Sequence, residues 1–158
     1  MLGNQTIRAT VIGAGSHSAQ LSGSTIFSCG VSLPLKNLPV VALTEQEQFD
    51  PVAIRRKLGQ QDDKTVVLAM PGITGASYEQ VRAVADAILE GMGDRPIYVC
   101  LAADMAKALG QCLCLRLPQE TPCLCIDRIP LTEGCYLDVG LPVGPALPVV
   151  VKTLILSE

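Results

Sequence analysis

Short runs rich in β-branched and aliphatic residues recur along this chain at a nearly constant interval. The runs are IRATVI (7–12), LPVVAL (38–43), TVVLAM (65–70), PIYVCLA (96–102) and PCLCID (122–127), and their starts are 31, 27, 31 and 26 residues apart. An interval of this length accommodates one strand, one crossover helix and two loops. The spacing therefore predicts an α/β fold with an open, mostly parallel sheet flanked by helices.

Helix signals occupy three of the four intervals. Asp50 and Pro51 suit the N-cap and the first position of a helix that Gly59 would end. Ser77 and Gln80 form a capping-box pattern ahead of a second helical segment. Only the interval before LPVVAL carries no clear helix signal.

The pattern changes after the last of these runs. From residue 128 onward Gly and Pro recur at short intervals, and the chain closes on the β-branched run VVVKTLIL. Such a pattern favours hairpin-like or edge strands rather than further crossover units. We therefore expect a C-terminal β extension of the sheet.

Length and composition favour one domain over residues 1–158. Hydrophobic residues make up 49% of the chain and aromatic residues only 3%, so Val, Leu, Ile and Ala carry the apolar content. This composition suits parallel strands that helices cover on both faces, and 158 residues are enough for one well-filled core.

Charge and hydropathy exclude two classes of partner. The net charge is −3 and no basic stripe is present, which argues against nucleic acid. No apolar run approaches the roughly 18 residues that a membrane-spanning helix needs. The first residues also lack a secretory signal pattern, so the expected location is the cytoplasm.

Seven cysteines are an odd number for a disulfide framework, and most lie inside apolar runs, where a thiol behaves as a small hydrophobic group. The pairs Cys112/Cys114 and Cys123/Cys125 raise the alternative of a structural zinc site with four thiolates. Zinc ligands more often follow a wider spacing with turn residues between them. Core packing is therefore the favoured interpretation.

Three loops follow predicted strands and would meet at one edge of a parallel sheet, where ligands bind in such folds. They are GAGSHSAQLSGST (13–25), PGITGAS (71–77) and AAD (102–104). Neither of the first two fits a known phosphate motif, because position 18 is serine where a dinucleotide fingerprint needs glycine, and because no Gly-Lys-Ser/Thr occurs.

The first loop supplies the candidate cofactor-binding residues. Gly13 and Gly15 would let backbone amides approach a phosphate or ribose, and Ser16 adds a hydroxyl donor. His17, the one histidine of the chain, could be a ligand or a catalytic base, or simply a hydrogen-bonded turn residue. Asp104, in the third loop, is better explained as a helix cap than as a base or metal ligand. No catalytic or metal residue is assigned.

Long strings of this sequence resemble the C-terminal portion of one known family. IRATVIGAGSHSAQLSGSTI, LPLKNLPVV, RPIYVCLAADMAKALGQCL and YLDVGLPVGPALPVVVKTLIL are similar to the EutA family of ethanolamine ammonia-lyase reactivating factors, which is related to the actin/Hsp70-like ATPases. The resemblance implies a ribonuclease H-like lobe. It also implies a chaperone-like role, in which ATP and Mg²⁺ drive the exchange of damaged for intact cobalamin on the lyase.

The family's proteins are much longer than this chain, which we therefore expect to be a C-terminal part of a longer protein. The phosphate loops and metal-holding aspartates of the other lobe have no match here, so we expect no efficient ATP hydrolysis by the chain alone. The resemblance implies that the VIGAGS turn, with Gly13, Gly15 and Ser16, faces the nucleotide. Ethanolamine ammonia-lyase is the implied partner, with self-association and a bacterial microcompartment as further expectations.

Two alternatives stay open at this point. One is a self-sufficient enzyme or nucleotide-binding domain that uses the Ser16, His17 and Ser18 loop. The other is an oligomerisation or docking module that pairs through its apolar C-terminal strands.

Overall fold

The computed structural model describes residues 5–11, 26–61, 65–93, 95–117, 121–129, 131–141 and 148–156. Residues 5–11 and 153–156 are described by their backbone alone. In the described part of the chain eight strands form one sheet. The strands are β1 (Gln5–Val11), β2 (Ile26–Cys29), β3 (Leu35–Ala42), β4 (Val67–Met70), β5 (Ile97–Leu101), β6 (Cys123–Ile126), β7 (Cys135–Val139) and β8 (Val149–Leu156). The helices are α1 (Pro51–Leu58), α2 (Tyr78–Met92) and α3 (Ala106–Arg116), with a 3-10 turn at Glu47–Phe49.

The sheet has a parallel centre and antiparallel flanks. Its order is β1-β8-β7-β3-β4-β5-β6-β2. The central strands β3, β4, β5 and β6 pair in parallel, whereas β2, β7, β8 and β1 all pair antiparallel to their neighbours. The α/β class and the C-terminal β extension are thus confirmed, and all five predicted runs form strands.

All three helices lie on one face of the sheet, in contrast to the expectation of helices on both faces. One core cluster contains the inward residues of α1, α2 and α3, and the cluster on the other face contains no helical residue among those described. The reason is the strand order. Crossovers are right-handed, and β3 to β6 follow one another in a single direction across the sheet, so each helix returns on the same side.

The second face is covered by the strands and loops themselves. Its cluster joins one set of side chains from β3 to β6 with Leu137, Val139 and Val149 of the C-terminal extension, and with Ile129 from the loop after β6. Since β4, β5 and β6 are buried along their whole length, they read in the sequence as continuous apolar runs rather than as alternating ones.

The helix caps follow the sequence at two of three places. The Asp50 carboxylate accepts hydrogen bonds from the backbone N–H groups of Val52 and Ala53, and Ser77 forms the predicted capping box with Gln80. The cap expected from Asp104 is wrong. Helix α3 has no cap from its own N-terminal segment; instead the buried carboxylate of Asp127, at the end of β6, accepts from the Ala106 N–H at 3.2 Å.

Candidate functional site

A cleft of about 670 Å³ lies at the carboxyl ends of β4 and β5, and we call it the carboxyl-edge cleft. Three segments line it: residues 45, 46, 48 and 49 around the 3-10 turn, residues 71–74 with Gln80, and residues 102 and 103. Two of these segments are loops that the sequence had singled out, PGITGAS and AAD. The volume falls within the range of small-molecule sites.

Gln48 fixes the loop after β4. Its side chain is 1% exposed, and its amide both accepts from the Gly72 N–H at 3.0 Å and donates to the Gly72 carbonyl at 3.4 Å. A buried amide that satisfies both backbone groups of one residue holds that residue in a single position. The cleft wall at Gly72 is therefore tied to the 3-10 turn by two hydrogen bonds.

Gly72 itself has little room for a side chain. Its φ is +71°, and a Cβ there would lie 3.0 Å from the Ala103 Cβ and 3.2 Å from the Met105 sulfur. The next residue, Ile73, donates its N–H to the same sulfur at 3.3 Å. The loops after β4 and β5 thus pack directly on one another and form the floor of the cleft.

Lys57 of α1 links the 3-10 turn to the end of β3 through an ion pair and a hydrogen bond. The Lys57 ammonium donates to the Glu47 carboxylate at 2.8 Å and to the Ala42 carbonyl at 2.7 Å, and the same carboxylate accepts from the Thr44 N–H at 3.0 Å. The hydrogen bond from Lys57, followed by that from Thr44, lowers the pKa of Glu47 below its ordinary value of 4.5. This pair keeps residues 45–49 in place beside the cleft.

A second group of charges follows β5 and β6. The Arg128 guanidinium donates to the Asp104 carboxylate at 2.9 Å. This contact is the largest cause, and hydrogen bonding between the Asp104 and Asp127 side chains a smaller one, of a pKa for Asp104 below its ordinary value of 3.8. Asp104 is thereby paired with Arg128, and Asp127 contacts both Asp104 and the first residue of α3.

The chemistry of the cleft lining is neutral to slightly acidic. Its described side chains include the amides of Gln46 and Gln80, the Thr74 hydroxyl and the Phe49 ring, which is 41% exposed, and none of them is Lys or Arg. The Gly72 and Ile73 N–H groups already have acceptors. The lining therefore does not fit a triphosphate, which needs positive charge or free amides, whereas it fits an uncharged ring that can stack and accept amide hydrogen bonds.

The candidate residues Gly13, Gly15, Ser16 and His17 lie outside the described residues, so their assignment stays a prediction. The ends of their segment are described. Strand β1 runs antiparallel to β8, which follows the direction of β3, so Val11 lies at the edge where β3 begins. This differs from the expectation that all three loops start from one edge. Ile26, however, pairs with Ile126 and brings the chain back to the edge of the cleft.

The cysteines proposed as a zinc alternative lie on two elements. Cys123 and Cys125 are buried in β6, while Cys112 and Cys114 are half-buried on α3. In the described part of the chain, no three His, Cys, Asp or Glu side chains come together as a metal site would require. Burial raises the pKa of the Cys100 thiol to about 12, which is the behaviour of a core cysteine. Core packing therefore accounts for Cys100, Cys123 and Cys125.

No helix in the described ranges is long and apolar enough to cross a bilayer.

Sequence reasoning missed the two residues that organise this edge. Gln48 looks like an ordinary polar residue in TEQEQFD, because its role comes from a contact with Gly72, 24 residues away. The sequence does carry one local signal for the role of Asp127. Its carboxylate directly follows the apolar run CLCI, and a buried carboxylate needs a hydrogen-bond partner.

Comparison with known proteins places the chain in one family. A family profile described as "Ethanolamine utilisation protein EutA" matches residues 2–157. The ethanolamine ammonia-lyase reactivase EutA of Escherichia coli (strain K12) is 38% identical over 160 residues, and that of Salmonella typhimurium (strain LT2) is 40% identical over 161 residues.

Each alignment covers 95% of this chain but only 34% of the relative, so the chain spans about a third of the length of these proteins. No solved structure matches the chain, and the actin-like lobe stays a prediction. A profile match over nearly the whole chain and an identity near 40% are sufficient to assign the family. The chain belongs to the EutA family of ethanolamine-utilisation proteins.

Proposed function

We propose that this chain is part of a reactivating factor for ethanolamine ammonia-lyase, and that it works as the C-terminal part of a longer protein. The single observation that carries the proposal is the identity of 38–40% over 95% of the chain to two proteins named as reactivases of that lyase. The role is chaperone-like: the factor binds the inactivated lyase and promotes the exchange of damaged for intact adenosylcobalamin.

Binding of the lyase tests the partner directly. The longer protein that carries this chain is mixed with ethanolamine ammonia-lyase holding a damaged cobalamin, and the mixture is separated by gel filtration. We expect the two to elute together, and the lyase to elute alone when the 158 residues are deleted. Elution of the intact factor apart from the lyase at micromolar concentrations would contradict the proposal.

We propose ATP with Mg²⁺ as the cofactor of the longer protein. The family resemblance supports this, and so do the glycines at positions 13 and 15. Because the described cleft lining offers no positive charge, the proposal assigns the phosphates and the metal to the segment 12–25 and to the rest of the longer protein. The carboxyl-edge cleft would at most receive an uncharged part of the nucleotide.

Calorimetric titration with Mg-ATP tests this cofactor. We expect binding to the longer protein, weaker or no binding to the 158-residue chain, and loss of binding in Gly15→Val, because a branched side chain would block close approach to the backbone. NAD is the control ligand and should give no heat. Equal affinity of Gly15→Val and the unchanged protein would exclude this turn as a nucleotide contact.

We further propose a cytoplasmic protein that can associate with a bacterial microcompartment and can self-associate. The outermost strands of the described sheet, β1 and β2, favour self-association because each has one side without a described partner strand. Sedimentation over a wide concentration range checks this, and a concentration-independent monomer would contradict it.

A further inference from the structure

Two half-buried cysteines from distant parts of the chain meet where β2 packs on α3. The Cys114 thiol donates a hydrogen bond to the Cys29 sulfur, and the two sulfur atoms are 3.1 Å apart. Cys29 is the last residue of β2, and Cys114 lies in the last turns of α3. A disulfide bond is about 2.05 Å long, so a shift of about 1 Å separates this contact from a covalent bond.

The surrounding packing keeps these two elements close together. Phe27 of β2 lies against Gly110 of α3, where even a single added Cβ would come within 2.3 Å of the aromatic ring. A glycine at this position lets the strand and the helix approach more closely than any other residue would. The sulfur contact is thus supported by backbone geometry on both elements.

The other cysteines are buried or lie elsewhere; Cys123 pairs with Cys29 across β2 and β6 but is buried. Cys100, Cys123 and Cys125 are buried, and a small-molecule oxidant does not reach them without opening the core. Cys112 is half-buried but lines a groove between α2 and α3. Cys135 lies on β7 and contacts the Thr132 hydroxyl at 3.5 Å.

We propose that Cys29 and Cys114 are a thiol pair that forms a reversible intramolecular disulfide with a small-molecule disulfide such as oxidised glutathione as the oxidant. The Cys29 sulfur, which accepts the hydrogen bond, loses its proton to solvent and attacks the oxidant. One glutathione thiolate leaves and takes up a proton. The Cys114 thiol then loses its proton to solvent and its sulfur attacks Cys29, and the second glutathione leaves as a thiolate that takes up a proton. Two thiols and one glutathione disulfide thereby become one protein disulfide and two glutathione thiols.

The order of attack agrees with the hydrogen bond. The bond to Cys29 raises the pKa of the Cys114 thiol, so Cys114 keeps its proton while Cys29 reacts first. Because β2 is the outermost strand on its side of the described sheet, the disulfide would tie an edge strand to a core helix. Strand β2 follows the segment 12–25 directly, so oxidation would fix the end of the segment that carries the candidate nucleotide turn.

Peptide mapping of the oxidised 158-residue chain tests the pair. The chain is equilibrated in glutathione redox buffers, free thiols are blocked with N-ethylmaleimide, and the protein is digested with trypsin without reduction. We expect a monomeric product in which peptide 9–36 is linked to peptide 108–116, and dithiothreitol should release both. Cys29 is the one cysteine of the first peptide, whereas the second contains both Cys112 and Cys114.

Matched variants resolve this ambiguity. Cys112→Ser should form the linked peptides as well as the unchanged chain does, because it keeps both members of the pair. Cys114→Ser should lower the yield by about tenfold or more and carry glutathione on Cys29. Cys29→Ser removes the one cysteine of peptide 9–36, so it gives no linked peptides and should carry glutathione on Cys114. Far-UV circular dichroism confirms that each variant is folded. Cys112→Ser keeps both Cys29 and Cys114, so its result tests the pair even if a variant of the pair itself fails to fold.

Two results would overturn the proposal. One is the absence of the linked peptides from the unchanged chain and from Cys112→Ser at every glutathione ratio. The other is an unchanged yield in Cys114→Ser, which would show that Cys29 reacts with any nearby thiol.

Discussion

At the scale of single residues, Gly72 is the position where the carboxyl-edge cleft tolerates least change. Gly72→Ala should lower the free energy of unfolding by about 1–3 kcal/mol, since it combines a left-handed backbone with a crowded Cβ site. Gly75→Ala is the matched control: its φ is +65°, but no atom lies within 4 Å of an added Cβ. Urea unfolding should therefore show the smaller loss at Gly75, and equal losses would mean that the Ala103 and Met105 contacts do not matter.

Gln48 tests the same loop from its other side. Gln48→Ala removes both partners of the Gly72 backbone and leaves a gap, which should cost about 1–3 kcal/mol of unfolding free energy. Gln46→Ala, two residues away and exposed, should change stability by less than about 0.5 kcal/mol. Thermal unfolding of both variants checks this prediction, and a Gln48→Ala protein as stable as Gln46→Ala would contradict it.

Glu47 makes stability depend on pH. Its pKa is lowered in the folded protein, so its contribution is complete above the ordinary value of 4.5 and is lost as the pH falls from there through the folded value. Glu47→Gln should therefore flatten the acid limb of the stability curve, whereas Glu45→Gln should change it less, because that side chain is exposed. Urea midpoints between about pH 6 and pH 3 measure the difference, and parallel curves for Glu47→Gln and the unchanged chain would contradict the account.

At the scale of elements, the contact between α3 and β2 is set by a missing side chain. Gly110→Ala improves helix propensity by about 1 kcal/mol, but its methyl group would meet the Phe27 ring and Cβ, and overpacking costs about 1–3 kcal/mol. We expect a net loss of stability and a smaller loss in the Phe27→Ala background, where the space is free. Denaturant unfolding of the four proteins gives the coupling, and a stabilised Gly110→Ala variant would be the opposite of this expectation.

The local sequence determines which helices and strands form. It determines their arrangement in the fold much less completely. The apolar runs and the caps at Asp50 and Ser77 specify strands and helices through interactions within a few residues. Strand β2 was not predicted, because IFSC is short and takes its shape from pairing with β6, about a hundred residues away. The single-sided placement of the helices follows from strand order, which no local pattern encodes.

The candidate site was predictable to a similar degree. Loops 71–77 and 102–104 were identified because they follow buried strands, and they do meet at one edge. The orientation of β1 was not predicted, since it depends on pairing with β8 at the far end of the chain. Gln48 escaped notice for the same reason, as its partner Gly72 is distant in sequence.

At the scale of the whole molecule, the chain is a mixed α/β sheet with helices on one face and a neutral ligand-sized cleft at one edge. It belongs to the EutA family and spans about a third of the length of its curated relatives. We propose that the glycine-rich segment 12–25 supplies part of a nucleotide site and that the remainder of a longer protein supplies the charged contacts.

Recovery of lyase activity shows whether reactivation needs these 158 residues. Ethanolamine ammonia-lyase that holds a damaged cobalamin is incubated with the longer protein, Mg-ATP and intact adenosylcobalamin, and ammonia release is followed. We expect activity to return with the unchanged protein, to return far more slowly with Gly15→Val, and not to return when the 158 residues are deleted. Full recovery without these residues, or no recovery with the unchanged protein, would contradict this expectation.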